Sequence, residues 1–131
     1  IINSNNPIID YNYEYKVAHR LYMTGEYDSS VDKFKFLLAS NISNDLADNC
    51  QFWIGQIYFL KNDYQNAIKE FGYVLKYKNS NKKEDSIYKM GLCYMKINQN
   101  NKAIESFQTI IDDYPKSKYF NKAYDFILNL K

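Results

Sequence analysis

The sequence predicts an all-α fold, a right-handed α-solenoid of three helical hairpins closed by a C-terminal capping helix. A ten-residue motif occurs three times, as GEYDSSVDKF, NDYQNAIKEF and NQNNKAIESF, starting at Gly25, Asn62 and Asn98. Repeats spaced 36 to 37 residues apart, each long enough for two helices, are typical of stacked helical pairs. The composition agrees, because 4 Gly and 2 Pro in 131 residues are too few for a loop-rich β protein.

Each repeat places small and large residues at the spacing of one helical face. On the first helix, Ala18, Gly55 and Gly91 are followed three positions later by Leu21, Tyr58 and Tyr94. On the second helix, Ser30, Ala67 and Ala103 are followed four positions later by Phe34, Phe71 and Phe107. A small residue lets the neighbouring helix approach, and the large residue fills the adjacent space. Between the two helices, Gly25, Asn62 and Asn98 tolerate the left-handed conformation that ends a helix.

The breakers between the apolar patterns divide the chain into units. We expect helices at about 11–24, 27–39, 45–61, 64–77, 83–97, 100–113 and 118–130. The units then span about 11–40, 45–78 and 83–115, with a capping helix at about 118–130 and a flexible N-terminal extension over about 1–10. The chain begins IINSNNP without an initiating Met, so we expect a fragment or a processed form.

The repeated columns resemble those of the tetratricopeptide repeat, in which a Leu-Gly pair precedes Tyr on the first helix and Ala precedes Phe on the second. The middle unit carries Ile54, Gly55, Tyr58, Ala67 and Phe71, and the last carries Met90, Gly91, Tyr94, Ala103, Phe107 and Pro115. The first unit departs from the pattern, with Val17, Ala18, Leu21 and Ser30. The resemblance covers about residues 11 to 131 and implies a non-catalytic module that binds other proteins.

More narrowly, the chain resembles the C-terminal domain of the YbgF/CpoB family of periplasmic proteins associated with the Tol–Pal system. This resemblance rests on QFWIGQ from Gln51 to Gln56 and on YPKS from Tyr114 to Ser117. It implies a periplasmic adaptor that links the Tol machinery to cell-wall synthesis during cell division, with components of either as partners. Members of that family trimerise through an N-terminal coiled coil; no heptad pattern occurs here, so we expect the isolated domain to be monomeric. Two alternatives stay open: an outer-membrane assembly lipoprotein of the BamD type, and a cytoplasmic tetratricopeptide scaffold or chaperone.

Composition argues against several other classes of function. The net charge is +2, and the 17 basic and 15 acidic residues are mixed along the chain, so no nucleic-acid surface is indicated. No apolar run is long enough for a transmembrane helix. Cys50 and Cys93 lack metal-ligand spacing and are expected to be small buried hydrophobic residues. We expect no metal site, no cofactor and no enzymatic activity, because the 4 Gly are scattered and the only His, His19, has no triad-like neighbours.

Partner binding is therefore expected on the first helices, which line the concave side of such a stack. Counting from the small residue of each unit, positions six and three before it and one and four after it share one helical face. The candidates are Asn12, Tyr15, His19 and Tyr22; Asn49, Phe52, Gln56 and Phe59; and Asp85, Tyr88, Leu92 and Met95. We expect these side chains to be separate from those that pack the helices together.

The candidates form two rows of large side chains, Tyr15, Phe52 and Tyr88 in the first and Tyr22, Phe59 and Met95 in the second. We interpret them as a groove for an apolar or amphipathic segment of a partner protein. The Lys and Asn pair with which some tetratricopeptide domains clamp a terminal carboxylate is not evident on this face. Alternatively, the aromatic residues only line a tightly curved interior, or the N-terminal region or the capping helix packs over them.

Overall fold

The computed structural model describes residues 9–131, and this range contains seven α-helices. They are α1 (Tyr11–Met23), α2 (Tyr27–Ser40), α3 (Ala47–Leu60), α4 (Tyr64–Val74), α5 (Lys83–Lys96), α6 (Asn100–Asp113) and α7 (Phe120–Leu130). Each helix makes its main contacts with the helices immediately before and after it along the chain. Unit one is α1 with α2, unit two is α3 with α4, and unit three is α5 with α6. The predicted all-α solenoid with a capping helix, α7, is confirmed.

The turn inside each hairpin is left-handed at the predicted residue. The backbone φ angle is 82° at Gly25, 62° at Asn62 and 61° at Asn98. One residue further on, the amide of each turn donates back to a carbonyl of the first helix, from Glu26 to Leu21 at 2.9 Å, from Asp63 to Tyr58 at 2.9 Å and from Gln99 to Tyr94 at 2.8 Å. This bond satisfies a carbonyl that would otherwise have no partner at the helix end.

The two helices of a unit touch where the small residue of one meets the Phe of the other. A Cβ atom added to Gly55 would lie 2.8 Å from the ring of Phe71. In unit one the small residue is Ala18, and the Ser30 hydroxyl donates a hydrogen bond of 2.8 Å to its carbonyl. Phe34, Phe71 and Phe107 are all fully buried. The predicted small-and-large packing is therefore present in all three units.

The boundaries of the helices differ most from the sequence prediction at α4. This helix ends at Val74, three residues before the predicted end at about 77. The next three amides, of Leu75, Lys76 and Tyr77, each donate to the carbonyl three positions earlier, at 3.2, 3.1 and 3.1 Å. The chain is thus tightened into a narrower turn rather than continued as α-helix.

The N-terminal end of the solenoid begins slightly earlier than expected. The predicted flexible extension covers residues 1–10, of which residues 1–8 lie outside the described part of the chain. Asp10 is the N-cap of α1, and its side chain accepts a hydrogen bond of 3.1 Å from the amide of Tyr13. Ile9 packs against the core of unit one. These two residues therefore belong to the folded domain.

The buried core runs along the solenoid as three clusters, one centred on each unit. Cys50 and Cys93 are free thiols and fully buried, as predicted. Burial raises the pKa of Cys50 to about 11 and that of Cys93 to about 12. Both side chains therefore act as small hydrophobic groups.

The capping helix α7 covers the end of unit three. It buries Ala123 and Ile127 against that unit and leaves Tyr124 and Leu128 exposed. No helix within residues 9–131 combines the length and the apolar character needed to cross a membrane.

Candidate functional site

The first helices α1, α3 and α5 adjoin one another along one surface, which we call the first-helix surface. It comprises the twelve predicted residues together with Trp53, Lys82 and Lys89. Of the twelve, Asn12 is exposed, Phe52 and Tyr88 are buried, and the other nine are partly buried. A partner could therefore reach most of this surface, but not the whole of the predicted set.

Phe52 and Tyr88 correct the sequence prediction. Phe52 is only 6% exposed and its ring lies 5.6 Å from that of Phe71, between ring centroids. Tyr88 is 7% exposed and lies 5.9 Å from Phe107 in the same way. The expectation that the first row is separate from the helix packing is wrong for these two residues, because their rings complete the core of their own units.

Each of these two rings is also covered by the residue that immediately precedes a later helix, α5 for Phe52 and α7 for Tyr88. Lys82, the N-cap residue of α5, places its ammonium 5.2 Å from the ring centroid of Phe52. Tyr119, the N-cap residue of α7, stacks on Tyr88 with ring centroids 4.2 Å apart and planes inclined by 10°. The alternative that the capping helix packs over the aromatic residues therefore agrees with the contact at Tyr88, whereas Phe52 is covered by the residue that precedes α5.

An aromatic cluster of Tyr15, His19, Tyr22 and Trp53 joins units one and two on this surface. The ring centroid of Trp53 lies 4.9 Å from that of His19 and 4.8 Å from that of Tyr22. Its indole N–H donates a hydrogen bond of 2.9 Å to the hydroxyl of Tyr15. Burial raises the pKa of Tyr15, and this hydrogen bond opposes the rise. The cluster offers rigid ring faces and edges to a ligand.

Trp53 is absent from the predicted set although it lies at the centre of this cluster. Its position in the repeat is two residues before the small residue, where the other units have Lys16 and Lys89. The column is therefore not apolar as a whole, and the repeat gives no signal for it. The presence of the only Trp of the chain at that position was the available clue.

Two buried side-chain oxygens on the first-helix surface have no hydrogen-bond partner among residues 9–131. They are Asn49 Oδ1 and Gln56 Oε1. The amide nitrogen of Gln56 is used, since Nε2 donates to the hydroxyl of Tyr22 at 3.4 Å. Neither oxygen has significant exposed area, so both lie beneath the surface that a partner would contact.

The second row remains accessible at the C-terminal ends of the first helices. Tyr22, Phe59 and Met95 are all partly buried rather than enclosed. The ring of Phe59 meets that of Tyr64 edge to face, with centroids 5.8 Å apart. Next to this row, Met23 is 68% exposed and Leu60 is 41% exposed. Apolar side chains therefore remain accessible at this end of the first helices.

Two lysines lie over the aromatic rings of this surface. Besides covering Phe52, the Lys82 ammonium is 5.9 Å from the ring centroid of Trp53, and the Lys89 ammonium is 4.9 Å from that of Phe59. Burial lowers the pKa of Lys89. Within residues 9–131 the ion pairs are Lys33–Glu14, Lys61–Asp28 and Lys118–Asp85, so neither Lys82 nor Lys89 has a carboxylate partner there.

The remaining titratable residues of the surface do not form a reactive group. Asp85 accepts a hydrogen bond of 2.5 Å from the hydroxyl of Tyr119, and His19 is surrounded by aromatic rings. In the described part of the chain, no three His, Cys, Asp or Glu side chains come together as a metal site would require. The arrangement of aromatic rings and lysines is suited to holding apolar groups and anions.

Solved structures with the same fold include several that hold a peptide. The chain aligns with the type III secretion chaperone SycD of Yersinia enterocolitica in complex with a peptide of the translocator YopD, at a TM-score of 0.79 and 15% identity, covering 98% of this chain and 96% of that one. It aligns with PcrH of Pseudomonas aeruginosa at a TM-score of 0.76 and 12% identity, covering 98% of each chain. It aligns with the second repeat domain of human RPAP3 in complex with an HSP70 peptide at a TM-score of 0.73 and 15% identity, covering 89% of this chain and 91% of that one.

At these identities the structural matches establish the fold alone, and no curated protein matches the chain significantly in sequence. Sequence models of the tetratricopeptide repeat match residues 49–81 and residues 85–117, which are units two and three. The two segments together make up about half of the chain, and the first unit, which departs from the pattern, completes the same architecture. The chain therefore belongs to the tetratricopeptide repeat family.

Proposed function

We propose that the chain is a non-catalytic protein-interaction module that holds a segment of a partner protein on its first-helix surface. The observation that carries the proposal is the accessible strip formed by the aromatic cluster and the second row. Aromatic side chains held rigidly by their neighbours provide large contact area at a small cost in conformational entropy. The strip runs across all three units, so it fits an extended segment or a helix rather than a small molecule.

The peptide complexes of SycD and of the RPAP3 domain support the same proposal. Those proteins hold peptides of YopD and of HSP70, respectively. For this chain they support the class of ligand, a peptide segment, and not the identity of the partner.

Binding on this surface can be tested with an array of apolar and amphipathic peptides probed with the labelled protein. We expect Phe59→Ala combined with Met95→Ala to abolish capture while helicity by circular dichroism is retained. Phe36→Ala is a matched control, because that ring is 55% exposed on α2, away from the first-helix surface. Equal capture by the double variant and the wild-type protein would contradict the proposed function.

As the finer assignment, we propose a periplasmic adaptor of the YbgF/CpoB type that acts with the Tol–Pal system. Its support is the pair of strings QFWIGQ and YPKS. The test is fractionation of cells that express the full-length protein, followed by co-purification with Tol–Pal and cell-wall synthesis components. Recovery in the periplasmic fraction together with those components is expected. Recovery in another fraction, or without them, would reject this assignment and leave the peptide-binding proposal intact.

A further inference from the structure

Lys89 occupies an unusual electrostatic position on the first-helix surface. Its ammonium lies 4.9 Å from the ring centroid of Phe59 and is partly buried between units two and three. The face of an aromatic ring stabilises a cation only in part. Burial makes the charged form of this lysine harder to maintain, and its pKa is lowered accordingly. A nearby anion would stabilise it.

The carboxylate on the same helix face is already engaged. Asp85 lies one turn before Lys89 on α5, but its Oδ1 accepts from the Tyr119 hydroxyl at 2.5 Å and lies 3.9 Å from the Lys118 ammonium. Within residues 9–131, no carboxylate oxygen lies within 4.0 Å of the Lys89 ammonium. Asp85 attracts the Lys89 ammonium from a distance and partly opposes the effect of burial on its pKa, but the described chain gives Lys89 no contact ion pair.

Lys82 adds a second positive charge on the same part of the surface. Its ammonium lies over Phe52 and Trp53 and likewise lacks an ion pair in the described chain. The boundary between units two and three thus presents two ammonium groups among aromatic rings. This combination is complementary to a segment that carries a negative charge beside apolar side chains.

We infer that the bound segment carries an Asp or Glu side chain next to an apolar residue, with the carboxylate on Lys89 and the apolar residue on Phe59. The inference rests on the proposed function and adds the chemistry of the partner. A side-chain carboxylate fits better than a chain terminus, because the second row continues from Phe59 to Tyr22 in one direction and to Met95 in the other. A segment that lies along the row therefore passes Lys89 without ending there. Lys89 then determines specificity, and the aromatic rings supply the apolar contact.

The probe is a set of short peptides, acetylated and amidated, each with a central Glu between two Leu, Ile or Phe residues. Every peptide has a twin with Gln in place of Glu, and a third version with the central Gln and a free C-terminal carboxylate. Affinities are measured by fluorescence anisotropy. We expect the wild-type protein to bind the Glu peptides about tenfold more tightly than the Gln twins, with a preference that shrinks at high salt.

Two variants test whether Lys89 causes the preference for Glu over Gln peptides. Lys89→Met should lose most of the preference for Glu over Gln peptides, because it keeps the contact with Phe59 and removes the charge, while Lys82 remains. Lys102→Met is the matched control, since that ammonium also lies over a ring, Tyr94 at 5.8 Å, but on the second helix of unit three. It should keep the wild-type preference.

The outcomes separate this inference from the proposed function. Equal binding of Glu and Gln peptides by the wild-type protein would overturn the inference, and so would binding confined to the peptides with a free terminus. In both cases groove binding would stand, provided that it is lost in the Phe59→Ala, Met95→Ala double variant. Binding unaffected by that double variant would overturn the proposed function and the inference with it.

Discussion

The Cβ atom that Gly91 lacks would lie 2.6 Å from the ring of Phe107. The two helices of unit three therefore approach so closely that even a methyl group has no room. The same holds for Gly55 and Phe71 in unit two, so the glycines define the distance between the helices rather than a flexible point in either one.

We expect Gly91→Ala to destabilise the protein by about 1–3 kcal/mol, because the fully buried Phe107 ring has nowhere to move. Gly55→Leu should lower the free energy of unfolding by at least the same amount. The measurement is urea unfolding followed by circular dichroism. Gly72→Ala is the matched control: it is also a helical glycine, but a Cβ there would meet nothing within 4 Å. This control should be neutral or stabilising by up to about 1 kcal/mol, and an equal loss in both variants would contradict the argument.

Phe52 and Phe59 lie on the same helix but should respond differently to truncation. Phe52→Ala leaves a cavity beside Phe71 and should cost about 3–5 kcal/mol of unfolding free energy. Phe59→Ala should cost about 1 kcal/mol, because that ring is only partly buried. Thermal and urea unfolding of the two variants provide the comparison. Similar losses would show that Phe59 also belongs to the core and is unavailable to a partner.

The left-handed turn at Asn98 gives a third expectation. Asn98→Ala should destabilise the protein by about 1 kcal/mol, because a φ of 61° is unfavourable for a residue with a Cβ atom and no side-chain amide. Asn98→Gly should be tolerated, since glycine adopts this conformation freely. Comparing the unfolding midpoints of the two variants tests the turn itself. A better-tolerated Ala than Gly would contradict it.

The buried thiols predict a loss of stability at alkaline pH. Folding raises the pKa of Cys50 from its ordinary 9.0 to about 11, so above pH 9 the unfolded chain releases a proton that the folded chain keeps. The contribution of this thiol to the unfolding free energy is complete below pH 9 and declines as the pH rises towards 11. Urea unfolding across this range should show the decline. Cys50→Ala should show a shallower one, and an unchanged slope would assign the effect to other groups.

The repeat columns predict most of the fold because they record contacts inside a unit. The positions of Gly55, Phe71 and Asn62 follow from helix geometry and turn chemistry, and the structure confirms each role. The end of α4 is less predictable, since a tightened last turn leaves no distinct residue pattern.

The candidate site is predicted less completely because it depends on contacts with other helices. Counting along one helix assigns Phe52 and Tyr88 to an open face, but each ring packs against the Phe of its own unit and is also covered from the following unit, by Lys82 or Tyr119. The prediction omits Trp53 because the equivalent position in the other two units holds Lys. A helical wheel describes only its own helix, whereas the exposure of a ring in a solenoid also depends on the next one.

The covering of Tyr88 by Tyr119 has a consequence for how the chain unfolds. The core of unit two is covered by Lys82 and that of unit three by Tyr119, each of which precedes the following helix. Each of these units is therefore stabilised by the part of the chain that follows it. Fraying of α7 would uncover Tyr88 and loosen unit three before unit two. Native-state hydrogen exchange should therefore show graded protection, with the least protected amides in α7 and the order of opening running backwards along the sequence.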